Sequence, residues 1–268
     1  MKAAATPVYE VFALRYAEHP GQKASQNFIG GDLHDGLMPL DYFIWVIRDA
    51  SRVFVVDTGF DAAVASKRGR VHLASPDLLL AQIDVQASQV SDVIITHLHY
   101  DHCGNQELFP AAKFHLQERE MAYATGRCMC HPGLRAPFEG TDVANMVHRV
   151  FESRVCFHEG DSALTAGLSL HRVGGHTDGM QIVRVHTRRG WMVLASDASH
   201  LYANMEQGRS FPIVYNVGAM LDGHLRAYAL ADAPQNVIPG HDPLVTKRYP
   251  AVSADAVGRI VRLDADPR

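Results

Sequence analysis

The stretch Thr96-His97-Leu98-His99-Tyr100-Asp101-His102 constrains this chain more than any other. It follows Asp92-Val93-Ile94-Ile95, a short apolar run that predicts a buried strand. Four side chains able to ligate a metal, His97, His99, Asp101 and His102, therefore crowd the C-terminal end of one strand. Alternation along an extended segment sends His97 and His99 to the same side. The backbone then turns at Asp101-His102, which lets these two serve a second centre close by. Neutral imidazoles and a carboxylate are ligands for a borderline divalent ion such as zinc. A polar loop with surface histidines would explain one such residue but not four together.

The whole chain sets wider bounds. Its 268 residues fit one large domain or two small ones, and 47% hydrophobic content is enough for a substantial core. A net charge of −4 gives no nucleic-acid footprint. The opening residues read as a strand over 8–16, not as an apolar signal segment. No run approaches the roughly 18 apolar residues that a membrane span needs. Cys103, Cys128, Cys130 and Cys156 make no disulfide framework, so a reducing cytoplasm is the expected compartment. Sixteen histidines are in excess, which fits a metal site.

After the first strand comes an irregular stretch, 20–39, with Gly30-Gly31, His34 and Met38. A loop this long in a compact domain is usually functional or mobile, and we read 20–40 as one wall of a substrate cleft. Segments 41–48 and 52–57 predict a hairpin turning through Asp49-Ala50-Ser51 and running into Asp57-Thr58-Gly59. Asp57 can orient a ligating histidine from behind or simply cap a turn. Ser75-Pro76-Asp77 predicts a capped helix start, with Leu79, Leu80, Ile83 and Ala87 on its buried face. Residues 113–116 predict a strand, and 117–125 a helix closed by Gly126. The least regular part, 127–160, carries Cys128-Met129-Cys130-His131 and a helix over 142–151. Without a second cysteine pair it reads as an apolar lid or interface insertion, not a soft-metal site. Cys103 reads as structural.

Strand patterns resume over 168–173, 181–186 and 191–195, and a helix is expected over 217–231. Three further ligand candidates sit at strand ends: His176 in Gly174-Gly175-His176-Thr177, Asp197 after Val193-Leu194-Ala195-Ser196, and His241 in Pro239-Gly240-His241-Asp242. Each is weak alone; their repeated position gives them weight. A layered sheet packed between helices around one core accounts for the order of elements, giving a single domain over 1–268.

Asp57-Thr58-Gly59, His97-x-His99-x-Asp101-His102, Gly175-His176, Ser196-Asp197-Ala198-Ser199 and Pro239-Gly240-His241-Asp242 together resemble the metallo-β-lactamase superfamily, in the branch of N-acyl homoserine lactonases. The resemblance spans positions 40 to 245. It implies an α/β fold, an αββα sandwich of two mixed β-sheets packed between helices. It also implies two zinc ions (iron or manganese being the alternatives), one on His97, His99 and His176 and the other on Asp101, His102 and His241, with Asp197 bridging. A homodimer is suggested by the resemblance alone.

Two divalent ions bring four positive charges, and Asp101, Asp197 and a bridging hydroxide return three. One net positive charge is then left for a developing oxyanion. The expected reaction is attack of that hydroxide on a lactone carbonyl, with Asp101 shuttling the proton. The lactonases place a tyrosine shortly after the bridging aspartate; the matching position here is His200, with Tyr202 two residues on, and either can donate a hydrogen bond. The expected partner is a small-molecule lactone or ester, with no nucleic acid or membrane. Thioester or other ester hydrolysis at the same site is the rival reading, and an iron-dependent oxygenase of this fold a weaker one. Apolar Phe28, Ile29, Leu33, Met38 and Phe138 favour an acyl chain in the cleft.

Overall fold

Strand β1, Glu10–His19, turns Val11 and Ala13 toward one apolar cluster and Phe12, Leu14 and Tyr16 toward another. The next strand, β2 (Leu40–Arg48), does the same: Phe43, Trp45 and Ile47 on one side, Tyr42, Ile44 and Val46 on the other. Side chains alternate along a strand, so a sheet buried on both faces must be apolar at nearly every position. Residues 11–14 with Tyr16 and Ala17 in β1, and all of β2 except Asp41 and Arg48, meet that requirement. Full burial of each large apolar side chain contributes roughly 1.5–3 kcal/mol, which fixes these strands in the middle of the molecule.

The structure, a computed structural model, describes residues 5–32 and 35–268. After β1 and β2 come β3 (Val53–Val56), β4 (Val71–His72), β5 (Asp92–Ile94), β6 (Lys113–Gln117) and β7 (Val155–His158). The second sheet follows as β8 (Ser162–Thr165), β9 (Leu168–Arg172), β10 (Gln181–Thr187), β11 (Gly190–Ser196) and β12 (Val237–Pro239). Finally β13 (Ile260–Arg262) returns to the first sheet. The first sheet runs β13-β1-β2-β3-β5-β6-β7, with β4 beside β1; the second runs β12-β11-β10-β9-β8. Both are mixed: β3, β5, β6 and β7 are parallel in the first, and β11 and β12 in the second. Helices cover them, making an αββα sandwich with one core between the sheets and another under the helices of the first sheet.

Polar side chains stitch the two sheets at one edge. Gln181 at the start of β10 donates through its backbone N–H to Thr96 O (3.1 Å) and through Nε2 to Ile95 O (2.7 Å). Gln117 Nε2 in turn donates to Gln181 Oε1 at 2.9 Å. That edge is where the parallel strands end, the usual place for a site in an open α/β sheet.

Several local expectations need correction. Gly126 ends the helix Glu118–Thr125 in extended backbone, not left-handed; a Cβ there would lie 2.5 Å from Ala122 O, so the glycine answers to close approach. Ser75 precedes the helix Pro76–Ala81 but spends its hydroxyl on the Asp77 carboxylate instead of capping the backbone. The helix expected over 142–151 starts two residues earlier, as Gly140–Phe151. A helix at Ala62–Arg68, capped by Asp61 Oδ1 on Val64 N at 2.7 Å, was not anticipated, and neither were β7, β8 and β13. Among the described residues no helix is long and apolar enough to cross a membrane. Leu33 and His34, named above in the cleft loop, lie outside the described residues.

Candidate metal centre

The parallel strand β5 stops at Ile94, and Thr96-His97-Leu98-His99 continues past the sheet edge into the short helix Tyr100–Cys103. His97, His99, Asp101 and His102 are all buried there. Gly174-Gly175 swings the chain out after β9 and places His176 against them, with ring centroids 4.7 Å from His97 and 4.4 Å from His99. Parallel strands β11 and β12 end side by side and supply Asp197 and His241. Ser196 holds a positive φ of 42°, a strained backbone for a serine, at the point where Asp197 is aimed inward. Gly240 is required by proximity: a Cβ there would stand 2.5 Å from Asp197 Oδ1.

The carboxylate of Asp197 is shared between two sets of imidazoles. Its Oδ2 lies 3.3 Å from His176 Nε2 and 3.9 Å from His97 Nε2. Its Oδ1 lies 2.9 Å from His241 Nε2 and 3.4 Å from His102 Nε2. Asp101 Oδ2 completes the second set at 3.7 Å from both His102 and His241. Three overlapping groups of potential ligands thus gather among the described residues: His97, His99 and His176; Asp101, His102, Asp197 and His241; and His176, Asp197 and His200. All seven ligand candidates from the sequence meet at this one place.

The far nitrogen of four of these histidines is pinned. His102 Nδ1 bonds Asp57 Oδ2 (2.7 Å), His176 Nδ1 donates to Ile213 O (2.6 Å) and His241 Nδ1 to Asp41 O (2.9 Å). Thr96 Oγ1 gives its proton to Asp57 Oδ2, which leaves it to accept from His97 Nδ1 at 3.1 Å. In the neutral ring, the form that ligates, Nε2 is then the nitrogen with the lone pair, and it faces the centre. The Nε2 atoms of His97, His102 and His176 are buried without a hydrogen-bond partner. Orphaned buried groups cost about 1–3 kcal/mol each, a penalty that a divalent cation among them would remove. The donor set fits such an ion.

Electrostatics follow from burial and crowding. Burial first, then the charge of His102, pushes His97 well below the usual imidazole range; burial and His176 do the same to His99. Burial also acts downward on His102, but the carboxylates of Asp197, Asp101 and Asp57 outweigh it and hold that ring well above the usual value. Burial alone would raise Asp197, yet the charges of His241, His102 and His200 keep it well below the ordinary carboxylate range.

His200 and Tyr202 part company. His200 Nε2 stands 2.9 Å from Asp197 Oδ2, and its ring stacks on Phe211 at 3.4 Å between centroids. Tyr202 begins the helix Tyr202–Glu206 and points into the inter-sheet core, under the Arg248 guanidinium 4.0 Å from its ring centroid. Cys103 is fully buried in the apolar cluster, and Cys128, Cys130 and His131 join no group of ligands among the described residues.

An apolar rim surrounds the histidines. Phe138 packs on His99 at 4.5 Å, Tyr123 meets both Phe138 and Tyr215, and Phe211 packs on His176. Loop 27–31 docks beside it, through Asn204 Nδ2 to Asn27 O and Ile29 N to Ser210 O. Of the apolar residues expected there, Ile29 is exposed, Met38 half-buried, and Phe28 buried beneath Arg209. Sequence reasoning passed over Glu120, Thr177 and Phe211; nothing in their local pattern marks them, because their partners are distant in the chain.

A sandwich with histidines and aspartates collected at its strand ends defines a class of metal-dependent hydrolases. The profile of the metallo-beta-lactamase superfamily matches residues 37–248, and the chain belongs to that superfamily. Among solved structures, an N-acyl homoserine lactone hydrolase with the product N-hexanoyl-L-homoserine bound at its catalytic metal centre superposes with a TM-score of 0.72 at 18% identity, over 90% of this chain and 96% of that one. AidC, a dizinc quorum-quenching lactonase, gives 0.71 at 14% identity over 90% of each chain. The hydrolase AbOPH of the beta lactamase superfamily gives 0.67 at 19%, over 97% and 98%. At such identities the likeness is one of fold. No curated protein sequence matches significantly.

Proposed function

We propose that this chain is a two-metal hydrolase that opens the ring of a lactone bearing an apolar acyl group. The observation that carries the reading is the division of Asp197, with one oxygen toward His97 and His176 and the other toward His102 and His241. In this reading His97, His99 and His176 would hold one ion and Asp101, His102 and His241 the other, with Asp197 available to both. Zinc suits these donors best, with iron and manganese as competitors. Divalent ions bound there supply Lewis acidity for an ester carbonyl and a water acidic enough to attack it at neutral pH.

The chain's own residues do the rest. Asp101 is the more open of the two carboxylates, 8% exposed against 2% for Asp197, which supports it as the group that carries a proton to the departing alkoxide. His200, occupied with Asp197, steadies that carboxylate instead of donating to substrate. Phe138, Tyr123 and Tyr215, the last 41% exposed, form an apolar wall on which an acyl chain can lie, and Ile213, whose carbonyl holds His176, offers a further apolar side chain 49% exposed. This wall favours an acyl substrate over a charged thiol conjugate.

The test is a pH-indicator assay of zinc-loaded protein on short- and long-chain lactones, open-chain esters and thioesters. Lactone turnover at least about tenfold above the others, a free-energy difference of about 1.4 kcal/mol, supports the reading. Faster thioester cleavage would replace it, and inertness toward all three with both metals bound would overturn it.

A further inference from the structure

Glu120 is fully buried, carries a carboxylate, and is used by nothing described so far. It sits in the first turn of the helix Glu118–Thr125 and accepts three hydrogen bonds. Oε1 takes the backbone N–H of Leu98 at 2.9 Å. Oε2 takes the hydroxyl of Thr177 at 2.6 Å and the backbone N–H of Gly179 at 3.1 Å. Leu98 lies between His97 and His99 on the loop leaving the first sheet. Thr177 follows His176 on the loop leaving the second. One side chain therefore ties together the two loops that carry one complete set of three imidazoles.

The fit leaves little freedom. A Cβ on Gly179 would lie 2.1 Å from Glu120 N and 2.4 Å from its Cα, so the second loop can close on the carboxylate only because residue 179 has no side chain. A carboxyl group taken wholly out of water is costly unless its oxygens are satisfied, and here both accept hydrogen bonds. Among the described residues Glu120 belongs to no group of potential ligands and its hydrogen bonds go to Leu98, Thr177 and Gly179, none to an imidazole, so it is neither a ligand nor a direct orienter of one. Its influence passes through the backbone of Leu98 and the Thr177 hydroxyl.

We propose that Glu120 is a positioning residue for one half of the centre, setting the separation of the His97/His99 loop from the His176 loop and hence the metal affinity of that half alone. The inference rests on the metal-centre reading. Asp101, His102 and His241 are held by other contacts (Tyr16 Oη donating to Asp101 O at 2.8 Å, Asp57 on His102, and Asp41 O with the β11–β12 pair on His241), so they should not feel the loss of Glu120.

The experiment is cobalt(II) titration of the full-length chain, followed by visible absorbance, in two backgrounds. His241→Ala leaves the three-imidazole half intact, and His99→Ala leaves the other half. Glu120→Gln keeps the shape but sets an amide N–H against backbone N–H donors. It should weaken cobalt binding about tenfold or more in the His241→Ala background, the range typical of outer ligand supports, and less than about twofold in the His99→Ala background. Glu118→Gln, exposed on the same turn, should change neither. Should Glu120→Gln fail to fold, Thr177→Val removes one of the three bonds and should show the same selectivity at smaller amplitude. Equal loss in both backgrounds, or loss in neither, overturns the inference. Absence of cobalt uptake by the unaltered protein would remove the metal centre itself, and the inference with it.

Discussion

Asp57 Oδ2 accepts the Nδ1 proton of His102 at 2.7 Å, and the same carboxylate receives Thr96 N at 2.7 Å and Thr96 Oγ1 at 2.8 Å. A residue at the end of β3 thereby fixes both the tautomer of a histidine on the neighbouring strand-end and the turn that presents it. Asp57 sits at φ 62°, a conformation that asparagine also tolerates. Asp57→Asn should keep the fold, by far-ultraviolet circular dichroism. It should lower metal affinity in the Asp101/His102/His241 half by about 10–100-fold. Unchanged affinity in a competitive chelator titration would show that His102 needs no such support.

Asp197→Asn tests the shared carboxylate. The amide keeps the size but removes the charge that both sets of imidazoles face. One of two bound metals should be lost on dialysis, and kcat/KM should fall by more than about 100-fold, beyond what outer supports usually contribute. Elemental analysis giving two metals per chain, with full turnover, would take Asp197 out of the bridge.

Ile213 offers a test of the apolar wall that leaves the metal ligands untouched. Its carbonyl holds His176, but its side chain is 49% exposed, so Ile213→Ser should change stability by no more than about 0.5 kcal/mol. If an acyl chain lies there, one or two methylenes lose their contact at about 0.8 kcal/mol each. That corresponds to a roughly 4–15-fold drop in kcat/KM for long-chain substrates, with short-chain ones unaffected. A parallel drop for both would place the chain elsewhere.

Asp142, in the first turn of the helix Gly140–Phe151, predicts a pH dependence of stability away from the metal. Burial first, then the charges of Glu139, Glu107 and Asp61, raise its carboxyl to about 7, and its Oδ2 has no hydrogen-bond partner. The unfolded chain releases that proton near the ordinary aspartate value of 3.8. Between these values the native state binds more protons, so stability falls as pH rises through the window and levels off above about 7. Asp142→Asn should remove this component and gain roughly 1–3 kcal/mol at pH 8.5 relative to pH 5, read from urea midpoints. The favourable place of a carboxylate at a helix start opposes part of the gain. An equal difference between the two proteins at both pH values would refute the assignment.

Long strands were legible because their periodicity is local. The alternation in β1 and β2 and the apolar run before Thr96 mark buried strands without knowledge of neighbours. The ligand motifs were legible for a related reason: His97, His99, Asp101 and His102 lie within six positions, and His176, Asp197 and His241 each follow a strand end. Strands β7, β8 and β13 lie at sheet edges, and the partly exposed β7 and β8 show neither an apolar run nor a clean alternation. The caps failed where side chains found nearer partners, as Ser75 did in Asp77.

The order of residues by itself determined which side chains were available to bind a metal, that they sit at the ends of buried strands, and that the strands need covering on both faces. Only the tertiary structure decided that β9, β11 and β12 bring His176, Asp197 and His241 to the edge where β5 ends. It also chose His200 over Tyr202 as the neighbour of Asp197, and made Glu120 the link between two loops. The physical reason is distance along the chain. A hydrogen bond such as Thr177 to Glu120 joins positions 57 apart, and its energy depends on packing that no local pattern of residues encodes.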